Sequence, residues 1–228
     1  MMDLVIAQAA TFFTRSTAIL LAEAACNTLL LSLLGCSLGL MTGFLLTLIR
    51  TSDNKWFLPL RYAAIGYVEL FRRVPFLVVL FLVLFTMQNI APLISSFGIA
   101  AIAVSLVATA FLAEIIRAGF ASVPRQQVEA AEAMNFSRWM TVKSVVLPQA
   151  WRVILPPAIS FFVLSIKETA LASQMGVLEL MFAGKTLSNR GFSSLLVFGT
   201  VLTIYFFISW PVARIGKHLE VHLGGTRH

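Results

Sequence analysis

Runs of about twenty apolar residues recur along nearly the whole chain, and this repetition restricts its fold more than any other feature. A helix rises about 1.5 Å per residue, so each run matches the roughly 30 Å hydrocarbon layer of a bilayer. Of the 228 residues, 59% are hydrophobic and only 12% charged, and the mean hydropathy is +0.90. A soluble domain of this size has too little interior to hide that much apolar surface. In lipid every backbone polar group must be satisfied internally, and a helix does so within its own segment. The chain therefore reads as all-α: a polytopic helical membrane protein with five transmembrane helices, forming one domain over residues 1–228.

The spans are placed at about residues 18–49, 74–90, 97–119, 153–174 and 193–212, with an interfacial stretch at 61–73 before the second. The first is long enough to tilt or protrude. Loop charges set the orientation. Arg50, Lys55, Arg61, Arg72 and Arg73 lie between spans one and two. Arg117, Arg125, Arg138, Lys143 and Arg152 flank or fill the loop between spans three and four, and Arg214, Lys217 and Arg227 follow span five. The opposite side holds only Arg15, Lys185 and Arg190. The positive-inside rule puts the N-terminus outside and the long loop and C-terminus in the cytoplasm. The formal charge of +7 thus follows membrane topology. No basic stripe interleaved with aromatics offers a nucleic-acid groove.

Other features are structural on this reading. Cys26 and Cys36 share one apolar helix, too far apart along its axis to bridge. Asp3 precedes a short apolar run with no basic region, unlike a cleavable signal. Gly35, Gly39 and Gly43 form a small-residue ridge on span one. Such a ridge lets helix backbones approach closely, within the subunit or at a subunit seam. Gly184-Lys185-Thr186 imitates the end of a phosphate-binding loop, but Glu179 stands where that pattern needs glycine. His218 and His222 are four apart with no third metal ligand in view. No nucleophile–base pair or paired catalytic carboxylates stand at recognisable spacing, which argues against an intramembrane enzyme.

The polar interruption at 123–157 reads VPRQQVEAAEAMNFSRWMTVKSVVLPQAWRVILPP. It is built like two short helices hung from a bilayer. Ser122 is placed to cap the first and Pro124 to sit in its first turn. Residues 125–134 have helical composition, and Asn135 stands where a left-handed residue ends that helix. Ser137 is placed to cap a second helix, expected to stop before Pro148.

This segment resembles the cytoplasmic EAA loop, here about residues 121–150, of the membrane subunits of ABC importers. Glu129, Ala130 and Ala131 supply the three letters, and Leu147-Pro148 falls at the family's spacing. Asn135 holds the family's glycine position and is the next best residue for a left-handed turn. Three further blocks resemble the permeases for polar amino acids within that family. They are Tyr67-Val68-Glu69-Leu70-Phe71-Arg72-Arg73-Val74-Pro75, Ala113-Glu114-Ile115-Ile116-Arg117-Ala118-Gly119 and Lys167-Glu168-Thr169-Ala170-Leu171-Ala172. The second block also places Glu114 and Arg117 three apart on a helix, where they can pair.

The resemblance implies a permease subunit of the bacterial cytoplasmic (inner) membrane with the type I ABC importer fold. Its implied partners are a cytoplasmic ABC ATPase dimer, a second permease subunit (identical or related) and an extracytoplasmic solute-binding protein. ATP and Mg would sit on the ATPase, with no cofactor on this chain. Glu129, Ala130, Ala131 and Asn135 would form the coupling surface. Lys167 and Glu168 lie within span four, where ionisable groups are costly unless paired or facing water. They line a polar path with Thr169 and Ser173, or they hold the bundle as interhelical ion pairs. The rival readings are an importer permease for another solute class and a passive channel, which would have no use for docking helices.

Overall fold

Segments that must satisfy their backbone without water wind into helices, and every regular element among the described residues is helical. The computed structural model describes residue 8, residues 11–52 and residues 55–223. The stretch around Asp3 and the basic Arg227 lie outside them. The helices are α1 (Arg15–Arg50), α2 (Leu58–Phe71), α3 (Phe76–Ile90), α4 (Ser96–Ala121) and α5 (Arg125–Ala133), then α6 (Arg138–Thr141), α7 (Leu147–Glu168), α8 (Leu180–Asn189) and α9 (Ser194–Leu223). Among the described residues, four helical stretches are long and apolar enough to cross a membrane: Arg15–Arg50, Ser96–Ala121, Arg138–Met175 and Ser194–His222. The broken pair Lys55–Phe71 and Phe76–Ile90 makes a fifth if it counts as one span. Alone, α3 has 15 residues, about 22 Å of helix, and falls short of the hydrocarbon thickness.

Two local expectations are corrected. The second loop helix does not stop before Pro148. It passes through a π-helical turn, Val142–Val146, straight into α7. The Leu147 N–H reaches back five residues to the Val142 carbonyl. This wider turn shifts the register just where Pro148 has no N–H to give and its ring needs room. Ser122 does not cap α5, because its hydroxyl donates to the Gly119 carbonyl at 2.7 Å and Pro124 occupies the cap position. The stretch between spans four and five is a helix, α8, whose buried Leu180, Ala183, Gly184 and Leu187 follow a helical spacing.

The chain divides into two compact units. In one, comprising Met1–Ser37, Val74–Leu106 and Phe162–Pro211, the core joins Phe12, Leu21 and Ala24 to Leu180, Ala183 and Leu187 of α8 and to Val197 and Val201 of α9. Polar groups pin α8 there: Leu180 N–H donates to Thr28 Oγ1 at 3.2 Å, and Asn27 donates to the Leu178 carbonyl at 2.9 Å. In the other, comprising Leu38–Arg73, Val107–Phe161 and Val212–His228, one core joins Ile116, Val123, Val146, Ala150 and Ile154. A second joins Val68, Ala110 and Ala113.

The glycine ridge of α1 lies against α4. A Cβ added at Gly35 would meet Val104 Cγ1 at 2.3 Å, and one at Gly39 would meet the Ala108 Cβ at 2.5 Å and the Thr109 amide nitrogen at 2.9 Å. At Gly43 the Ala113 nitrogen stands at 2.9 Å. Hydroxyls fasten the same seam, with Thr42 and Thr109 at 2.6 Å and Thr47 donating to the Ala113 carbonyl at 2.9 Å. Gly66, with nothing within 4 Å of its added Cβ, is the internal control. Gly39→Ala is expected to cost about 1–3 kcal/mol through overpacking against backbone. Gly66→Ala is expected to be neutral or slightly stabilising through helix propensity. Thermal unfolding of the two variants in detergent measures the contrast; equal midpoints would contradict the close seam.

Candidate functional site

The loop helix α5 is short and needs both ends secured. Its C-terminus closes by two backbone bonds: Asn135 N–H to the Glu132 carbonyl at 2.9 Å and Phe136 N–H to the Ala131 carbonyl at 3.0 Å. This is the Schellman pattern, which requires a left-handed residue at the position of Asn135. Asn135 has φ +58° and is the one non-glycine residue with positive φ among the described residues. Two residues on, Ser137 Oγ accepts from the Met140 N–H at 3.3 Å and caps α6 as its sequence position implies.

One face of α5 turns into the protein and one turns away. Val128 packs on the cluster of Ile116, Val123, Val146, Ala150 and Ile154, and the Gln149 amide hydrogen-bonds the Gln127 carbonyl oxygen. Ala131 is 1% exposed. It was expected beside Ala130 on the docking surface, but adjacent helix residues point about 100° apart and Ala131 falls on the inner side. Glu129, Ala130, Ala133 and Met134 are exposed. Glu129 accepts from Arg125 Nε at 2.8 Å, an exposed pair of the kind that contributes little to stability.

Behind the loop lies a charged anchor. Glu114 accepts from Arg50 at 2.9 Å and from Arg117 at 2.7 Å. The pairing of Glu114 with Arg117 is the one that their spacing implies. Arg72 stands 4.0 Å from the same carboxylate and 5.8 Å from the Phe111 ring centroid. The Arg50 side chain is 8% exposed and that of Glu114 20%. A second tie reaches the loop itself: Arg138 donates to the Leu48 carbonyl at 3.2 Å and to Thr51 Oγ1 at 3.1 Å. A cation at the C-terminal end of α1 is also favoured by the helix dipole. At Gly119, an added Cβ would strike Ile154 Cγ1 at 2.3 Å. The close approach there packs the end of α4 directly on α7.

The polar residues of span four are arranged differently from the expectation. Lys167 is exposed and Glu168 half-buried, and neither is in an ion pair among the described residues. Thr169 and Ser173, expected to line the path with them, are turned into the protein. Past Glu168 the helix tightens into a 3₁₀ segment, Thr169–Met175, ended by Gly176 at φ +76°. Residues three apart eclipse in that winding, so Thr169 donates to the Ile166 carbonyl and Ser173 to the Ala170 carbonyl, each at 2.7 Å. Ser173 also accepts from Lys185 at 3.0 Å.

A buried acid in the first unit escaped the sequence reading. Glu179, 0% exposed, caps α8 by accepting from the Met181 and Phe182 N–H groups at 2.9 and 2.6 Å. Its third donor is the Tyr205 hydroxyl at 2.8 Å. Burial pushes its carboxyl above the ordinary value, and these donors with Lys185 draw it back. The available signal was an acid one residue ahead of the helical spacing 180, 183, 184, 187.

Residues 37–220 match the family described as binding-protein-dependent transport system inner membrane component. The chain belongs to that family. It is a multi-pass inner-membrane permease subunit of the ABC transporter class, and not an enzyme. The permease is 34% identical over 193 residues to the "Probable amino-acid ABC transporter permease protein YckA" of Bacillus subtilis, covering 85% of this chain and 84% of that one. It is 33% identical over 197 residues to the L-cystine transport system permease protein TcyB of the same organism, with 86% and 83% covered. It is 32% identical over 203 residues to the glutamine transport system permease protein GlnP of Escherichia coli, with 88% and 91% covered. Among solved structures, an amino acid ABC transporter crystallised with histidines superimposes with a TM-score of 0.80 at 27% identity, covering 90% and 94%. The MetNI methionine transporter, at 19% identity and a TM-score of 0.81, shares the fold.

The anchor of this permease has a measurable weight. Glu114→Gln leaves the nearly buried Arg50 without its counter-charge and is expected to destabilise the permease by about 1–3 kcal/mol, between the exposed and buried ion-pair limits. Arg125→Ala, which removes the exposed pair with Glu129, is expected to change stability by less than about 0.5 kcal/mol. Unfolding midpoints of the two variants provide the comparison.

Proposed function

We propose that this permease forms the translocation path for a polar amino acid, paired with a second copy of itself or a related permease. An extracytoplasmic binding protein delivers the substrate, and a cytoplasmic ATPase dimer supplies the work and binds ATP and Mg. The N-terminus lies outside and the α5–α6 loop in the cytoplasm, in keeping with the loop charges. The observation that carries the reading is the build of α5. Its inner face is packed, its C-terminal end is closed at Asn135, and Ser137 caps the next helix, α6. Its outer face, with Glu129 and Ala130, is free to meet a partner. Such a face lets an ATPase helix cleft approach closely and offers it a carboxylate. The names of the relatives, which include glutamine and cystine permeases, support an amino acid as the solute.

The loop is tied to α1 by Arg138 and to α4 and α7 by packing, so displacement of α5 moves the ends of those helices. Rigid-body rocking of this kind switches access around a fixed site in many transporters. Lys167 and Glu168 are the charged groups placed to face the path, Glu168 offering a carboxylate to an amino group. Glu129→Lys is expected to impair ATPase docking or coupling while leaving membrane insertion intact; normal assembly and transport by that variant would sink the assignment. Glu168→Ala is expected to alter the affinity or range of transported substrates without loss of assembly. Unchanged affinity and range would make Glu168 structural.

A further inference from the structure

A pocket of about 720 Å³ lies in the second unit, between the α5–α6 loop and the ends of α1 and α4. Among the described residues four arginines line it, Arg50, Arg61, Arg117 and Arg138, against one carboxylate, Glu132. Glu114 answers Arg50 and Arg117 from behind, so the described groups of the site keep an excess of positive charge. Its remaining wall is mostly apolar and includes Phe120, Val128 and Phe136 beside Thr51 and Thr141. One buried nitrogen of a lining side chain lacks a partner: the Arg50 side chain is 8% exposed, and its Nε has no hydrogen-bond partner. A buried donor left unsatisfied is costly. The pocket that Arg50 lines is wide enough for a small ligand.

We propose that this pocket holds a phosphate-ester anion. Guanidinium forks match phosphate oxygens in geometry as well as charge. An anion lying among Arg50, Arg61 and Arg138 would take guanidinium donors and offset the excess charge. The membrane supplies the fitting source. Basic pockets between spans at the cytoplasmic side take acidic lipid headgroups, and the apolar wall suits the glycerol and upper acyl carbons of a phospholipid. With Arg138 on α6 and Arg50 on α1, the bound headgroup would brace the loop against the span from which it takes its orientation. The proposal rests on the membrane assignment and is independent of which solute is carried.

The test uses the permease–ATPase complex in neutral detergent, delipidated and then titrated with phosphatidylglycerol or phosphatidylcholine, with bound lipid counted by native mass spectrometry. The expected result is one phosphatidylglycerol held per permease chain and no comparable retention of phosphatidylcholine. Arg61→Gln is expected to weaken retention about tenfold, the loss of one charged hydrogen bond, and Arg61→Lys to restore most of it. Wild-type retention is expected to fall between about 50 mM and about 500 mM salt, a reading that needs no variant to fold. Glycerol 3-phosphate and inorganic phosphate are titrated in parallel. If either binds as tightly as the lipid, the anion site stands and its source is soluble phosphate. Equal retention of both lipids, or phosphatidylglycerol retention unmoved by both salt and Arg61→Gln, would overturn the proposal. Retention requires no transport, so its failure is separable from failure of the amino acid reading.

Discussion

The Glu114 carboxylate is the interaction on which the working half of this permease depends. An acid near the end of an apolar helix is costly unless answered, and here Arg50 and Arg117 both answer it at hydrogen-bonding distance. Satisfying that charge fixes the end of α1 against α4, and Arg138 then uses the adjoining Leu48 carbonyl and Thr51 hydroxyl to hold the loop. Close packing of Gly39 and Gly43 on α4 sets the backbone separation at which these polar contacts form. In lipid, where apolar burial between helices gives little drive, small-residue seams and polar ties supply the association. The loop is thus an extension of the span ends. A push on its outer face has a mechanical route into the bundle.

Much of this was legible in the sequence because it is local. Apolar run length locates spans, and the left-handed turn at Asn135 and the cap at Ser137 follow from the preferences of single residues. The pairing of Glu114 with Arg117 is likewise a matter of helix spacing. What the sequence hid is what depends on partners distant along the chain. Nothing near Glu114 announces Arg50, and the 64-residue separation is bridged only by helix packing. The inward turn of Ala131 depends on which face of α5 meets Val146 and Ala150. Pro148 was misread because proline argues for a helix end, whereas the π-helical turn before it accommodates the ring. Thr169 and Ser173 were expected to add hydrogen-bonding groups to a path, whereas the tighter winding beyond Glu168 brings both hydroxyls to carbonyls three residues back. Helix α8 carries a readable spacing, but its Gly-Lys-Thr segment drew attention to a motif rather than to periodicity.

Two chemically distinct regions emerge. Around α5, charge is exposed or tied to the span ends, as suits a surface that receives force. At the start of α8 the carboxylate of Glu179 is buried and answered, held by two backbone donors and Tyr205, as suits a fixed frame. Lys167 and Glu168 stand at the end of α7, where its winding changes, unpaired in the described structure. That is the place where a charged solute would find charged groups without an existing partner.

The most direct test is the ATPase activity of the permease assembled in lipid with its ATPase and its binding protein. The binding protein would be loaded in turn with basic, acidic, amide and sulfur-containing amino acids. The account predicts that hydrolysis rises above the basal rate with one of these classes and not with unloaded binding protein. A correctly assembled complex whose hydrolysis responds to none of them would contradict the assignment of a polar amino acid as its cargo.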